Sequence, residues 1–183
     1  MPSVFTHSFI GIAGSSFVNI KNIKLKFFLF SILCPVLPDM DVISFKLGIP
    51  YEHFFGHRGF FHSLFFAFIL SLIVILIFFR SKELIFKVKI GLLIYFFVLT
   101  ASHGLLDAFT SGGLGIALLA PFDNHRYFFP YTPIKVSPIG ISAFFSDWGI
   151  RVLISEFKWV WLPVTGFLVL FKILKRAVLK KRA

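Results

Sequence analysis

The sequence holds a single cysteine, Cys34, among 183 residues. That excludes an internal disulfide framework and a cysteine-ligated zinc finger. Charge is scarce too, at 15% of residues, against about 25% in soluble domains. Acids are the rarer sign, eight Asp and Glu beside nineteen Lys and Arg. Internal repeats, low-complexity tracts and flexible linkers are missing. The basic residues follow the first apolar run and do not precede it, which argues against a secretory signal peptide there. What fills the chain is apolar: 57% hydrophobic residues, 28 phenylalanines and a mean hydropathy of +0.89. A water-soluble globule, about 45–50% apolar, does not fit. The net charge of +11 then has two readings, a nucleic-acid surface or the cytoplasmic loops of a membrane protein.

Position along the chain separates them. Residues 60–79 and 90–109 are apolar runs long enough to cross a bilayer core of about 30 Å. A third run, 157–171, opens with Trp159 and Trp161, as an interface anchor would. Two shorter runs, 4–20 and 25–37, are marginal in length; they cross, or form a re-entrant pair. The expected fold is all-α: a single polytopic helical membrane domain over 1–183 with about five apolar segments.

Thirteen of the nineteen basic residues fall in three places, 21–26, 80–89 and 172–182, accompanied only by Glu83. These are alternate connections, so the basic side is the cytoplasmic side. Five spans then put the N-terminus outside and the C-terminus in the cytoplasm. The long connection 110–156 lies outside. It reads equally as a functional cap or a passive surface loop, with an amphipathic helix expected over 142–154.

Placing the ionisable residues on this topology brings His7, Asp39, Asp41, His57, His62, His103 and Asp107 to the outer face from four separate apolar segments. Their orientation came from Lys and Arg alone, so the agreement is independent. His103 and Asp107 are four apart and share one helix face. Asp107 has no cation in its own span, and a bound ion would offset the cost of burying it. His and Asp together suit zinc or another divalent first-row metal. The set is large enough for one ion, or for two with a bridging carboxylate, the arrangement suited to phosphoester cleavage.

Each residue also has a plain reading. A lone His in an apolar helix is usually a packing residue, and Asp39 and Asp41 after Pro38 are ordinary turn formers. It is the set that favours ligands. Glu52 and His53 read as solvated loop residues, and His125 sits in a polar turn. Arg58 and Arg126 are candidates to hold a phosphate, or they snorkel to lipid headgroups. Ser63 and Ser102 lack a triad context, and the phenylalanines are best read as lipid-facing bulk.

The ordered motifs are His7, then Leu37-Pro38-Asp39-Met40-Asp41, Gly56-His57-Arg58-Gly59-Phe60-Phe61-His62-Ser63, Ser102-His103 with Asp107, and Leu119-Ala120-Pro121-Phe122 with Arg126. From residue 7 to about 130 this resembles the YdjM-like family of bacterial inner-membrane proteins, described as metal-dependent hydrolases and as distant relatives of zinc-dependent phospholipase C and P1-type nucleases. The resemblance implies that Asp107 bridges two zincs, that His103 and His62 hold one and His7 the other. It implies that Asp39 or Asp41 is a ligand or general base, and His57 a further ligand. Phe61 and Ala120 depart from the family's usual Thr and Trp, which bears on the substrate pocket.

The expected function is therefore hydrolysis of a phosphoester in a phospholipid or lipid-linked substrate, in the bacterial inner membrane. Two other classes compete: a divalent-metal or proton transporter, and a non-catalytic scaffold with a structural metal. The almost wholly apolar stretches 64–79 and 90–100 offer a transport path few polar groups. Nucleic acid ranks last, because the basic residues sit in short loops beside apolar runs and more naturally meet anionic lipids.

Overall fold

A computed structural model describes residues 1–18, 20, 23–81 and 84–182. Lys21, Lys82 and Glu83, which enter the charge count of two basic connections, lie outside the described residues. The helices are α1 (Val4–Ser15), α2 (Lys24–Leu33), α3 (Ile43–Lys46), α4 (Leu64–Phe78), α5 (Phe86–Ala108), α6 (Ile141–Phe144), α7 (Asp147–Glu156) and α8 (Leu162–Arg182). Two 3-10 turns, Leu37–Val42 and Phe60–His62, lie between them, and a π-helical turn, Phe157–Trp161, joins α7 to α8. No strand forms among the described residues, only isolated bridges between Thr110 and Ile134 and between Ile116 and Tyr127. The all-α expectation holds.

The expectation of about five crossing segments is met only in part. Among the described residues one helix, α5, is long and apolar enough by itself, with 23 residues and a mean hydropathy of 1.6. The pair Lys24–Leu33 and Leu37–Lys46 qualifies only jointly, across a 46° bend. The 12 residues of α1 rise about 18 Å at 1.5 Å per residue, well short of a bilayer core. The reason lies at the helix ends. Run 60–79 becomes helical only at Leu64, where the Ser63 hydroxyl caps it by accepting from Phe66 N. The residues before it are withdrawn into the turn that carries His62.

The helix expected over 142–154 is present in two pieces, α6 and α7. Ser146 breaks it with extended backbone, and Asp147 opens the next first turn, where an acid meets the helix dipole.

Phe27, Cys34, Val74, Ile75, Phe79, Leu92 and Phe96 form a dry core between α2, α4 and α5. The segment 110–140 folds back across one end of the bundle. Leu64 N donates to Leu118 O, Ala117 N to Arg58 O, and Phe129 N to Ala108 O, each at 3.0 Å. Ser137 N donates to Met1 O at 2.8 Å, closing the segment over the start of α1. These bonds put an irregular stretch directly above the end of α5.

Candidate metal centre

Four separate stretches meet beneath that segment. His7 lies one turn into α1, its N–H directed at Ser3 O. Asp39 and Asp41 belong to the turn Leu37–Val42, His62 closes the turn Phe60–His62, and α5 carries His103 and Asp107. The side chains of His62, His103 and Asp107 are fully buried, whereas that of Asp39 is 12% exposed.

His62 Nε2 lies 3.4 Å from Asp107 Oδ2 and 3.7 Å from Asp39 Oδ1. His103 Nε2 lies 3.3 Å from Asp39 Oδ1 and 3.9 Å from Asp107 Oδ2. The other carboxylate oxygen, Asp107 Oδ1, is 3.4 Å from His7 Nε2, and the His7 and His103 rings stack at 3.9 Å. These separations are long for hydrogen bonds. Ligand atoms about 2.0–2.2 Å from one zinc-sized ion at tetrahedral angles stand roughly 3.4 Å apart, so the spacing fits a shared cation.

Ten buried side-chain nitrogen and oxygen atoms among the described residues have no hydrogen-bond partner. All but Ser44 Oγ belong to His7, Asp39, Arg58, His62, His103 and Asp107. A bare buried polar group costs about 1–3 kcal/mol. Concentrating so many at one point makes sense when a cation satisfies several together. Asp39, His62, His103 and Asp107 form one group able to hold an ion.

His103 Nδ1 donates to Pro35 O at 2.8 Å. That fixes the tautomer and leaves the Nε2 lone pair facing the cluster. Asp41 forms a second such group with His57 and His62, but its oxygens are already engaged. Oδ1 accepts from His57 Nδ1 at 2.6 Å and Oδ2 from Arg58 N at 2.9 Å. Asp41 Oδ2 also lies 3.0 Å from His62 Nδ1, off the N–H direction. A neutral imidazole has one lone pair, so serving ions at both ends would require His62 to lose its second proton. The geometry therefore suits Asp41 to the carboxylate position behind a ligating histidine.

Arg58 holds the overlying segment down. Its Nη1 donates to Gly112 O at 2.6 Å and its Nη2 to Thr110 Oγ1 at 3.0 Å, while Nε stands 3.5 Å from Asp107 Oδ2. Burial lowers the guanidinium's pKa, and the neighbouring Asp107 opposes that shift. The residue adopts φ +62°, a left-handed conformation costing about 1–2 kcal/mol that these bonds offset. Arg126 donates to His57 O at 3.0 Å and Tyr51 O at 2.8 Å and lies over the Tyr51 ring. Both guanidinium groups are thus engaged by the protein. Glu52, His53 and His125 are exposed and apart from the cluster.

One ionisable residue at a strategic place is not among the sequence candidates. Glu156 is fully buried and accepts from Ser3 Oγ at 2.6 Å, Thr6 Oγ1 at 2.7 Å and Ser3 N. It thereby ties the end of α7 to the start of the helix that carries His7. The available signal was an acid at the edge of an apolar run, weaker than for Asp107 because Arg151 and Lys158 stand nearby in the sequence.

The chain matches the family model described as YdjM inner membrane protein over residues 1–180, well past the region that carries the motifs. It is 40% identical over 169 residues to an inner membrane protein, YbcI, of Escherichia coli strain K12, covering 89% of this chain and 92% of the relative. No solved structure matches it.

Proposed function

The chain belongs to the YdjM inner membrane protein family, and on that premise we propose that it is a membrane-bound metal-dependent hydrolase cleaving a phosphoester of a phospholipid or lipid-linked substrate. The observation that carries the reading is the concentration of unpartnered buried ligand atoms on His7, Asp39, His62, His103 and Asp107. His62, His103 and Asp107 would hold one ion, zinc by the chemistry of the donors, with Asp39 beside the fourth, water-binding position. Asp107 Oδ1 with His7 is the start of a second site. When bound, a divalent ion supplies an activated water and a counter-charge for the phosphate oxygens.

The chain's own residues divide the remaining work. Asp39, the partly exposed member of the cluster, can accept a proton from a water at the cavity side. Asp41 orients His57 and His62. Arg58 keeps positive charge beside Asp107 and pins the cap through Gly112 O and Thr110 Oγ1. The fold proposed for the membrane is five spans with the cluster on the periplasmic side and α8 ending in the cytoplasm. The core between α2, α4 and α5 is mainly apolar, and its buried Ser31, Ser71 and Thr100 are few and uncharged, which favours a site open to one face over a transport path.

Protein purified without chelators should carry stoichiometric divalent metal and release phosphate-bearing products from bilayer lipids. His103→Ala and Asp107→Ala should lose both metal and turnover. Metal-free wild-type protein under those conditions would sink the reading.

A further inference from the structure

Among the described residues, Asp39 connects the metal cluster to a cavity at the surface. His7, His103 and Asp107 are fully buried and His62 nearly so, and Asp39 alone keeps a partly exposed side chain. Asp39 also lines a cavity of about 330 Å³ between the start of α1, the turn Leu37–Val42 and the segment around α6. Among the described residues lining it, Asp39 is the one acidic or basic side chain. Val4, Phe5, Val42, Pro138, Ile139 and Phe144 make most of the remainder. The rim continues onto Phe145, 81% exposed, and Phe5, 52% exposed. Three further cavities near this face, lined by Glu52 and Arg126, by Leu64 and Phe97, and by Ala108 and Tyr127, touch no member of the cluster.

This is an amphiphile's shape in negative. An apolar chamber ends on a carboxylate that stands 3.3 Å from a metal-ligating type of nitrogen, His103 Nε2. Ligand pockets run from about 300 to 1,000 Å³, and this one lies at the small end, matched to a single chain and not a diacyl pair. The exposed phenylalanines at its mouth would face lipid and let a chain enter from the bilayer without crossing water. An anionic head drawn to cations held by the cluster would then stop beside Asp39.

We propose that this cavity is the binding site for one hydrocarbon chain of a phosphate-headed amphiphile, with the phosphate placed at Asp39. The assignment rests on the metal-hydrolase reading and narrows its substrate to lipids whose phosphate is carried next to a single buried chain. Because each buried methylene adds roughly fourfold in affinity until the chamber is full, binding should climb steeply with chain length and then level off.

The test uses the full chain, metal-loaded, in lipid nanodiscs. A dodecyl phosphate carrying a terminal diazirine is photo-cross-linked and the labelled residues mapped by mass spectrometry. Label is expected on residues 1–5 and 137–145, with protection by unlabelled alkyl phosphates growing from butyl to dodecyl. Phe144→Glu should abolish the label and Phe144→Leu keep it, with bound metal serving as the folding control. If Phe144→Glu loses metal, Ile139→Glu takes its place. Label spread over the outer faces of α4 and α8, label unchanged in the charged variant, or inorganic phosphate protecting as well as dodecyl phosphate would each overturn the proposal. Label in the cavity without any lipid hydrolysis would instead leave the chain site standing and remove the hydrolase.

Discussion

Gly104 follows His103 on α5, and a Cβ built there meets the carbonyl oxygen of His62 at 2.5 Å. Only a hydrogen at this position lets the His62 turn approach the helix closely enough to share an ion with His103. Gly104→Ala should therefore push His62 away and strip metal at a stability cost of about 1–3 kcal/mol, although neither ligand is changed. Elemental analysis of folded variant protein checks this, and full metal content would contradict it. Asp41→Asn tests the other kind of support. It keeps one acceptor oxygen but weakens the hold on His57 and the facing His62, so metal affinity should fall about 10–100-fold in a chelator competition. His103 with Asp107 was legible in the sequence because helical spacing fixes a shared face. The division between Asp39 and Asp41 was not. They lie on a 3-10 turn, where residues two apart diverge by roughly 240°. Which one faces the cluster is decided by where the turn docks, and no local pattern encodes that.

At the scale of elements, α1 is the piece held most deliberately. Gly11 presses against the backbone of α2 at the Ser31 carbonyl, where a Cβ would collide. The Glu156 carboxylate takes the N–H and hydroxyl of Ser3 and the hydroxyl of Thr6, while Trp161 Nε1 donates to the same Thr6 oxygen at 2.7 Å. Removing the carboxylate in Glu156→Ala strands the Ser3 N–H at a buried helix start, a loss of about 1–3 kcal/mol. Glu156→Gln keeps one acceptor for that N–H, and the hydroxyls can turn to accept. Burial lifts the Glu156 carboxyl above the ordinary glutamate range, outweighing its donors at Ser3 and Thr6. An acid with a raised native pKa contributes stability that is complete below its unfolded value and drains away as pH rises through the native one. Thermal unfolding of the wild type and the Gln variant should therefore coincide in acid, with the wild type falling behind as pH climbs through that window. Parallel curves across the range would show that Glu156 does not titrate as its burial implies. The apolar runs made the helices themselves legible. Runs 25–37 and 60–79 overestimate α2 and α4 because their ends carry the Asp39 turn and His62, and a hydropathy pattern does not distinguish a helix turn from a 3-10 turn of the same composition. By contrast, α5 extends beyond run 90–109 at its start.

At the scale of the whole chain, charge is unevenly distributed along the sequence. In the sequence, basic residues gather at 21–26, 80–89 and 172–182, in connections other than those that carry the acids and histidines of the cluster. Under the proposed arrangement the net charge of +11 reads as a topology signal, since a basic excess beside short connections marks the cytoplasmic side. The proposed orientation follows, with the cluster and segment 110–156 in the periplasm. It can be tested directly because Cys34 is the only cysteine and is buried. In a Cys34→Ser background, Asn124→Cys and Ala177→Cys place thiols at exposed positions on the segment above the cluster and on α8. A membrane-impermeant maleimide applied to cells with a permeabilised outer membrane should label the first and spare the second until the inner membrane is opened. The reverse pattern would put the cluster in the cytoplasm. Labelling of both in intact inner membranes would mean that the chain between them does not cross an odd number of times, and the five-span arrangement would fail with it.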